Sequence, residues 1–352
     1  MLDANAFREI VSGRRGGAGA AVARGVLRLA EVPYTAAVNW RNRRFDRAHS
    51  RVERVGVPVV SVGNLTLGGT GKTPMVEWIA RRCGERGVRV GIVSRGYGAT
   101  AGRKNDEALE LELALPGVPH VQNPDRVAGS LAAIDEFGCK MILLDDGFQH
   151  RRLGRDLDVV LLDASAPFGF EHVFPRGMLR EPIEGLERAG VVCLTRADLL
   201  DETQRAAIRE RVAELVPRAA WCEAAHVASG LINTAGQRQP VGSVAGQRIA
   251  AFCGIGNPAA FRRTLESAGG EIVWWREFPD HHAFSTADQE EIAAGASASG
   301  AELIVSTRKD LVKLPVEQLG GRPLWALAIE MQLVAGQAEL ENALANVLTS
   351  SR

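Results

Sequence analysis

Ser61-Val62-Gly63-Asn64-Leu65-Thr66-Leu67-Gly68-Gly69-Thr70-Gly71-Lys72-Thr73-Pro74 decides the reading of this chain. A short apolar run, Val57–Val62, leads into it, and a helical pattern from about Thr73 to Arg86 follows it. Strand, glycine-rich loop, helix is the context in which a loop wraps phosphate. The glycines let backbone N–H groups turn inward around phosphate oxygens, and the helix N-terminus adds its partial positive charge. Gly68, Gly69, Thr70, Gly71, Lys72 and Thr73 are the expected cradle. Lys72 is placed to bridge the outer phosphates and act on the transferring group, and the Thr73 hydroxyl to ligate Mg²⁺. The spacing departs from G-x-x-x-x-G-K-[ST] at one point, Thr66 standing where glycine is expected.

Outward from the loop, apolar runs and helical stretches alternate. Strands are predicted at 88–93, 140–144, 157–162 and 190–194, and helices at 125–137 and 202–215. This rhythm predicts a parallel sheet covered on both faces. The run Met141-Ile142-Leu143-Leu144 ends in Asp145-Asp146. Carboxylates emerging at the C-terminal end of a buried strand lie on the edge where open α/β sheets bind ligands, and one can hold Mg²⁺. Around 225–243, Gly, Asn, Gln and Pro break the pattern, which then restarts on a smaller scale with strands at 248–252, 271–275, 302–306 and 324–329. The expected class is therefore α/β: a P-loop NTPase-like parallel-sheet domain (55–225), a linker (226–243) and a second, smaller α/β domain (244–352).

Residues 1–54 carry eleven arginines against five acids in a chain of formal net charge zero. Val22, Val26, Leu29 and Pro33 recur at helical spacing beside Arg24 and Arg28, and Arg41, Arg43, Arg44 and Arg47 follow Trp40. Such a basic amphipathic lead-in suits either an anionic lipid surface or packing on its own domain with a solvated basic face. Zero net charge gives no field for nucleic acid. The five cysteines are scattered without a CxxC pair, which gives neither a zinc ribbon nor a disulfide framework. No run approaches the ~20 apolar residues of a membrane span, and the N-terminus lacks a signal-peptide pattern. The expectation is a cytoplasmic protein with no obligate protein partner.

Taken together, SVGNLTLGGTGKTP, SRGYG (94–98), DDGFQHRRLGRDLDVVLLD (145–163), LREP (179–182), CGIGNP (253–258), FPDHH (278–282) and RKDLVKL (308–314) resemble the tetraacyldisaccharide 4′-kinases of Gram-negative bacteria, from about residue 30 to 330. The resemblance implies transfer of the γ-phosphate of ATP to the 4′-hydroxyl of a tetraacylated glucosamine disaccharide 1-phosphate, giving lipid IVA in lipid A biosynthesis. It implies dependence on Mg²⁺, a peripheral position on the cytoplasmic face of the inner membrane, and two α/β domains joined by a β-ribbon around an active-site cleft. It assigns Asp106 as the catalytic carboxylate and His281 as its partner, with Asp145 and Asp146 on the magnesium side and Glu107 and Glu181 as further active-site acids. With His281 on the second domain, the pairing would tie catalysis to cleft closure. Three positions depart from the family pattern: Arg308 replaces a usual Glu, the segment 169–177 differs before LREP, and Asn105 replaces a frequent Gly. The competing class is a P-loop regulatory NTPase acting on a protein partner. Its guanine signature is only approached, by Thr195-Arg196-Ala197-Asp198, where Arg stands for Lys.

Overall fold

A computed structural model describes residues 4–47, 51–96 and 104–350. Tyr97 and Gly98 of the SRGYG motif, and residues 1–3 and 48–50 of the lead-in, lie outside them.

In chain order the elements are α1 (Ala4–Val11), α2 (Ala18–Asp46), β1 (Val59–Asn64), α3 (Lys72–Glu85), β2 (Val90–Ser94), α4 (Asp106–Ala114), β3 (His120–Gln122), α5 (Arg126–Phe137), β4 (Met141–Asp145), β5 (Leu157–Asp163), β6 (Val191–Thr195), α6 (Glu202–Leu215), β7 (Ala220–Ile232), β8 (Arg238–Pro240), β9 (Arg248–Cys253), α7 (Pro258–Ser267), β10 (Glu271–Glu277), α8 (Thr286–Ala298), β11 (Leu303–Thr307), α9 (Arg308–Leu311), β12 (Gln318–Leu319), β13 (Arg322–Ala335) and α10 (Gln337–Ser350). They form two compact units. The first holds residues 1–95, 119–225 and 331–352, the second 96–118 and 226–330. Residues 96–118 thus leave the phosphate-loop stretch in which they lie by sequence, and the last helix α10 returns to the first unit.

In the first unit the strand order is β7-β6-β5-β1-β4-β2-β3, parallel throughout. Every residue of β1, β4, β5 and β6 is buried, as strands covered on both faces require. The Val/Ile/Leu runs that predicted these strands supply that core. Val62 pairs with Asp145, so β1 and β4 end side by side on one sheet edge, and the phosphate loop and the Asp145-Asp146 turn both leave from it. In the second unit β10, β9, β11 and β13 are parallel neighbours, with α7 and α8 packed on them. The hydrogen-bonded neighbours β7 and β13 each pass from one unit into the other, and they form the two-stranded connection.

The stretch read as an irregular junction is in part the long strand β7. Its backbone is satisfied by pairing with β6, β8 and β13, which no local alternation announces. The lead-in is more helical than predicted. The 29-residue α2 carries Pro33 inside it and runs through to Asp46.

Candidate functional site

The phosphate side is built in the first unit. Gly71, in the left-handed region at φ 87°, is the N-cap of α3 and supplies no side-chain cap, so the helix's first N–H groups have no side-chain partner there. Gly68 also takes a positive φ, 108°. The loop's carbonyls are held by donors outside it: Thr195 Oγ1 donates to Thr70 O at 2.9 Å, Arg196 to Gly69 O at 3.0 Å, and Asn64 Nδ2 to Thr66 O at 2.7 Å. With its carbonyls so engaged, the loop presents N–H groups as an anion cradle. Thr66 is accommodated because its position needs no special backbone: it forms an antiparallel bridge with Leu179, and Leu67 N–H donates to Met178 O at 2.7 Å. Arg196, the near-miss of a guanine signature, is thus a buttress of the loop, itself paired to Asp163.

Lys72 Nζ lies 3.7 Å from Asp146 Oδ1 and 3.4 Å from Asn64 Oδ1. Arg180 donates to both oxygens of Asp146, at 2.9 and 3.0 Å. Asp146 takes φ 55°, in the left-handed region. Its burial works against ionisation, but Lys72, Arg180 and Arg126 together outweigh that and hold its pKa below the usual carboxylate value. Gly147 follows because a Cβ there would meet Leu144 Cβ and Ser61 Oγ, each at 2.7 Å. Asp145 is buried at the end of β4.

Among the described residues no group of three His, Cys, Asp or Glu could hold a metal by itself. The donors present are the Thr73 hydroxyl and the carboxylates of Asp145 and Asp146, all hard oxygens. Such a set fits Mg²⁺, which takes one or two carboxylates and completes its shell with water and substrate phosphate.

Glu181 stands apart from the other acids. It is fully buried and accepts from Asn42 Nδ2 (2.7 Å), Gln149 Nε2 (3.1 Å) and Arg188 (2.7 Å). Gln149 also donates to Asn64 O at 2.9 Å. Glu181 therefore ties α2 to the frame of the phosphate loop, with its oxygens already engaged.

A second cluster, holding Asp106 and His281, is built in the second unit. Asp106 opens α4, where the helix dipole favours an anion. Asn105, the departure from the family's usual Gly, is the N-cap: its side chain accepts from Ala108 N at 3.0 Å and donates to Glu107 Oε2 at 2.8 Å. Glu107 is thus bound to the cap. His281 adopts φ 61°, and its N–H reaches Gly254 O at 3.2 Å and Asp280 Oδ1 at 3.0 Å. Its Nδ1 lies 3.5 Å from Asp106 Oδ2. Both residues belong to this one unit, so their pairing does not depend on closure of one domain on another.

Two lysines complete the group. Lys309 Nζ is 3.1 Å from His281 Nε2 and 3.3 Å from Asp280 Oδ1. An ammonium has no lone pair, so Nε2 must accept, which leaves the neutral ring's proton on Nδ1, facing Asp106. Lys313 Nζ is 3.3 Å from Asp106 Oδ2. Both neighbours reach Oδ2.

Sequence reasoning missed Arg126, Arg180, Arg196, Lys309 and Lys313 as site residues. Arg126 is buried at the start of α5. Burial and nearby Arg95 lower its pKa, while Asp146 and Asp145 raise it. The one available signal was the Lys309/Lys313 spacing of four, which would put both on one face of a helix, although α9 ends at Leu311 and Lys313 lies in the turn after it.

The family profile of tetraacyldisaccharide-1-P 4′-kinase matches residues 23–349. The tetraacyldisaccharide 4′-kinase of Anaeromyxobacter dehalogenans (strain 2CP-C) is 40% identical over 344 residues, covering 92% of this chain and 91% of its own length. That of Geobacter metallireducens is 38% identical over 343 residues, covering 92% and 98%. Among solved structures, LpxK of Aquifex aeolicus, crystallised with ATP, superposes with a TM-score of 0.76 at 27% identity, covering 92% of this chain and 99% of that one. On the strength of the match over residues 23–349 and of the phosphate loop described above, this chain belongs to the tetraacyldisaccharide 4′-kinase family.

Proposed function

We propose that this ATP-dependent kinase transfers the γ-phosphate to the 4′-hydroxyl of tetraacyldisaccharide 1-phosphate through the two groups of residues described above. The observation that carries the residue assignment is the Asp106–His281 contact, 3.5 Å, with Lys72 anchored at the phosphate loop. In this reading the loop N–H groups and Lys72 hold the β- and γ-phosphates, and Arg180 and Arg126 add positive charge around Asp146. Thr73, Asp145 and Asp146 hold Mg²⁺, which when bound neutralises charge on the phosphate oxygens. Asp106 Oδ1 accepts the hydroxyl proton as the phosphoryl group transfers, and His281, holding its own proton on Nδ1, orients the carboxylate. Phosphoryl transfer asks for positioning and charge neutralisation more than covalent work, and these residue types supply both. A regulatory NTPase is not favoured: a hydroxyl-directed Asp–His pair has no place in it.

We further propose that α2 rests on the anionic cytoplasmic face of the inner membrane. The helix is inverted. Three of its polar residues face the protein: Glu31 accepts from Val173 N at 2.8 Å, Tyr34 donates to Arg180 O at 3.2 Å, and Asn42 donates to Glu181. Val22, Val26, Leu29, Val32 and Trp40 point outward, Leu29 with 76% of its surface exposed. Arg44 stacks on Trp40 at 5.1 Å, and Arg43 and Arg47 are exposed beside it. Of the two readings of the lead-in, this favours the lipid surface. No helix among the described residues is long and apolar enough to cross a membrane.

The test of the reaction is direct. Purified protein, ATP, Mg²⁺ and the tetraacyl disaccharide 1-phosphate in detergent should yield a bisphosphorylated lipid, and absence of that product sinks the reading. For α2, Leu29→Asp should reduce flotation with phosphatidylglycerol vesicles while turnover in detergent is kept; unchanged flotation would remove the membrane role.

A further inference from the structure

Asp106 is one of two acids on the same face of α4. Glu110, four residues on, is the other. Opposite them run α9 and its continuation. Lys313 Nζ meets Asp106 Oδ2 at 3.3 Å, and Arg308 Nε meets Glu110 Oε1 at 3.3 Å. Arg308 is only 4% exposed, and a second guanidinium nitrogen donates to Ile329 O at 3.3 Å. The two ion pairs form a ladder that docks the helix carrying Asp106 onto α9. Arg308, the departure from the family's usual Glu, thus stands opposite an acid on the facing helix.

A second line of contacts leads to the same place. Asp310 is fully buried. Its Oδ2 accepts from Gly254 N (2.9 Å) and Thr307 Oγ1 (2.7 Å), and its Oδ1 lies 3.6 Å from Lys313 Nζ. Gly254 in turn accepts the His281 N–H at 3.2 Å. The approach is close enough that a Cβ at Gly254 would sit 3.0 Å from Pro279 O and 3.2 Å from Asp310 Oδ1. From Asp310 one path runs through Gly254 to His281, and another through Lys313 to Asp106. One buried carboxylate sets both partners.

We propose that Asp310 and Lys313, with the Arg308–Glu110 pair as a second rung, are positioning residues for the Asp106–His281 pair. The proposal rests on the reading of Asp106 as the hydroxyl's base. None of the four touches the reacting atoms in this scheme; they act by fixing where Asp106 and His281 stand, and misplacement of a catalytic group by about 1 Å costs on the order of 100-fold in rate.

The experiment compares full-length Lys313→Met, Lys313→Arg, Asp310→Asn and the neutral double variant Arg308→Met/Glu110→Gln with Asp106→Asn, measuring kcat and both KM values. The double variant removes both charges together, so no ion is left buried alone. Lys313→Met should lower kcat about 10- to 100-fold with the KM for ATP within about two-fold, and Lys313→Arg should recover most of that loss. Asp310→Asn should lower kcat similarly, and the double variant less. If Asp106→Asn is inactive while Lys313→Met and the double variant keep wild-type kcat, the positioning role is overturned and the base assignment stands. If Asp106→Asn itself turns over normally, the underlying reading fails instead. A raised KM for ATP with kcat intact would also overturn the proposal. Should Lys313→Met not fold, the decision passes to Asp310→Asn and the double variant: a reduced kcat in both supports the inference, and wild-type kcat in both ends it.

Discussion

The phosphate side and the hydroxyl side solve their tasks with different materials. The phosphate side relies on backbone: loop N–H groups, a helix N-terminus uncapped by any side chain, and one lysine. The hydroxyl side relies on side chains drawn from residues 106, 281, 309 and 313, each held by another. The first is contiguous in sequence, the second is assembled by the fold. It follows that the first should be sensitive to loss of charge toward nucleotide, and the second to loss of position toward the acceptor.

Lys72→Met should show the largest effect. It removes the only lysine in the loop and a partner of Asp146, and kcat should fall by about 10³-fold or more, with nucleotide binding weakened as well. Calorimetric titration with a non-hydrolysable ATP analogue and Mg²⁺ measures the second part. Asp106→Asn should come next, at about 10²- to 10⁴-fold in kcat, with the affinity for the same analogue unchanged. If Asp106→Asn weakened nucleotide binding as Lys72→Met does, the division between the two sides would be broken.

These two sides were not equally legible. Glycine spacing, a strand before and a helix after announce a phosphate loop locally, and only Thr66 was out of place. Its extended bridge to Leu179 explains why no glycine is needed there. Asp106 reads as an undistinguished loop acid, because α4 is short and its apolar residues keep no clear period. Its role came from resemblance, and its partners Lys309 and Lys313 came only from the fold, some 200 residues along the chain. The strand β3, three residues long, and β7, interrupted by His226, Ser229 and Gly230, escaped for a related reason: their stability comes from neighbours rather than from local pattern. The grouping of 96–118 with the second unit is equally invisible to composition.

Glu181 sharpens the comparison from within the first unit. If it frames the loop rather than taking part in transfer, Glu181→Leu should act chiefly on stability. Arg188, Asn42 and Gln149 would lose their shared acceptor, and the cost should be about 3 kcal/mol, at the low end for a broken buried pair because Arg188 keeps some contact with solvent. Denaturant unfolding gives the number. Residual kcat near wild type at low temperature would confirm a framing acid; a loss of kcat matching Asp106→Asn with stability intact would return Glu181 to the chemistry.

The smallest effect expected is a pH dependence confined to the phosphate side. His150 follows the Asp145-Asp146 turn, and its Nε2 is buried without a hydrogen-bond partner among the described residues. Burial, together with Arg126 and Arg155, lowers its pKa to about 4. The unfolded chain, with an ordinary histidine near 6.5, takes up its proton first as pH falls. The unfolded state then binds more protons, so stability decreases as pH drops from about 6.5 to about 4 and is unaffected by this group above that window. The full shift corresponds to at most about 3 kcal/mol, and solvent screening at a partly exposed site should leave about 1–2. The second unit differs in its window, not its sign: Asp288, held at about 2 by the side chain and backbone of Ser285 and by His282, stays ionised in the folded state through that range, and its contribution is lost only as pH falls below about 4. Unfolding free energies of wild type and His150→Gln between pH 4 and 7 decide the matter. The variant should lose the acid-side slope, and an identical slope in both would place the titrating group elsewhere.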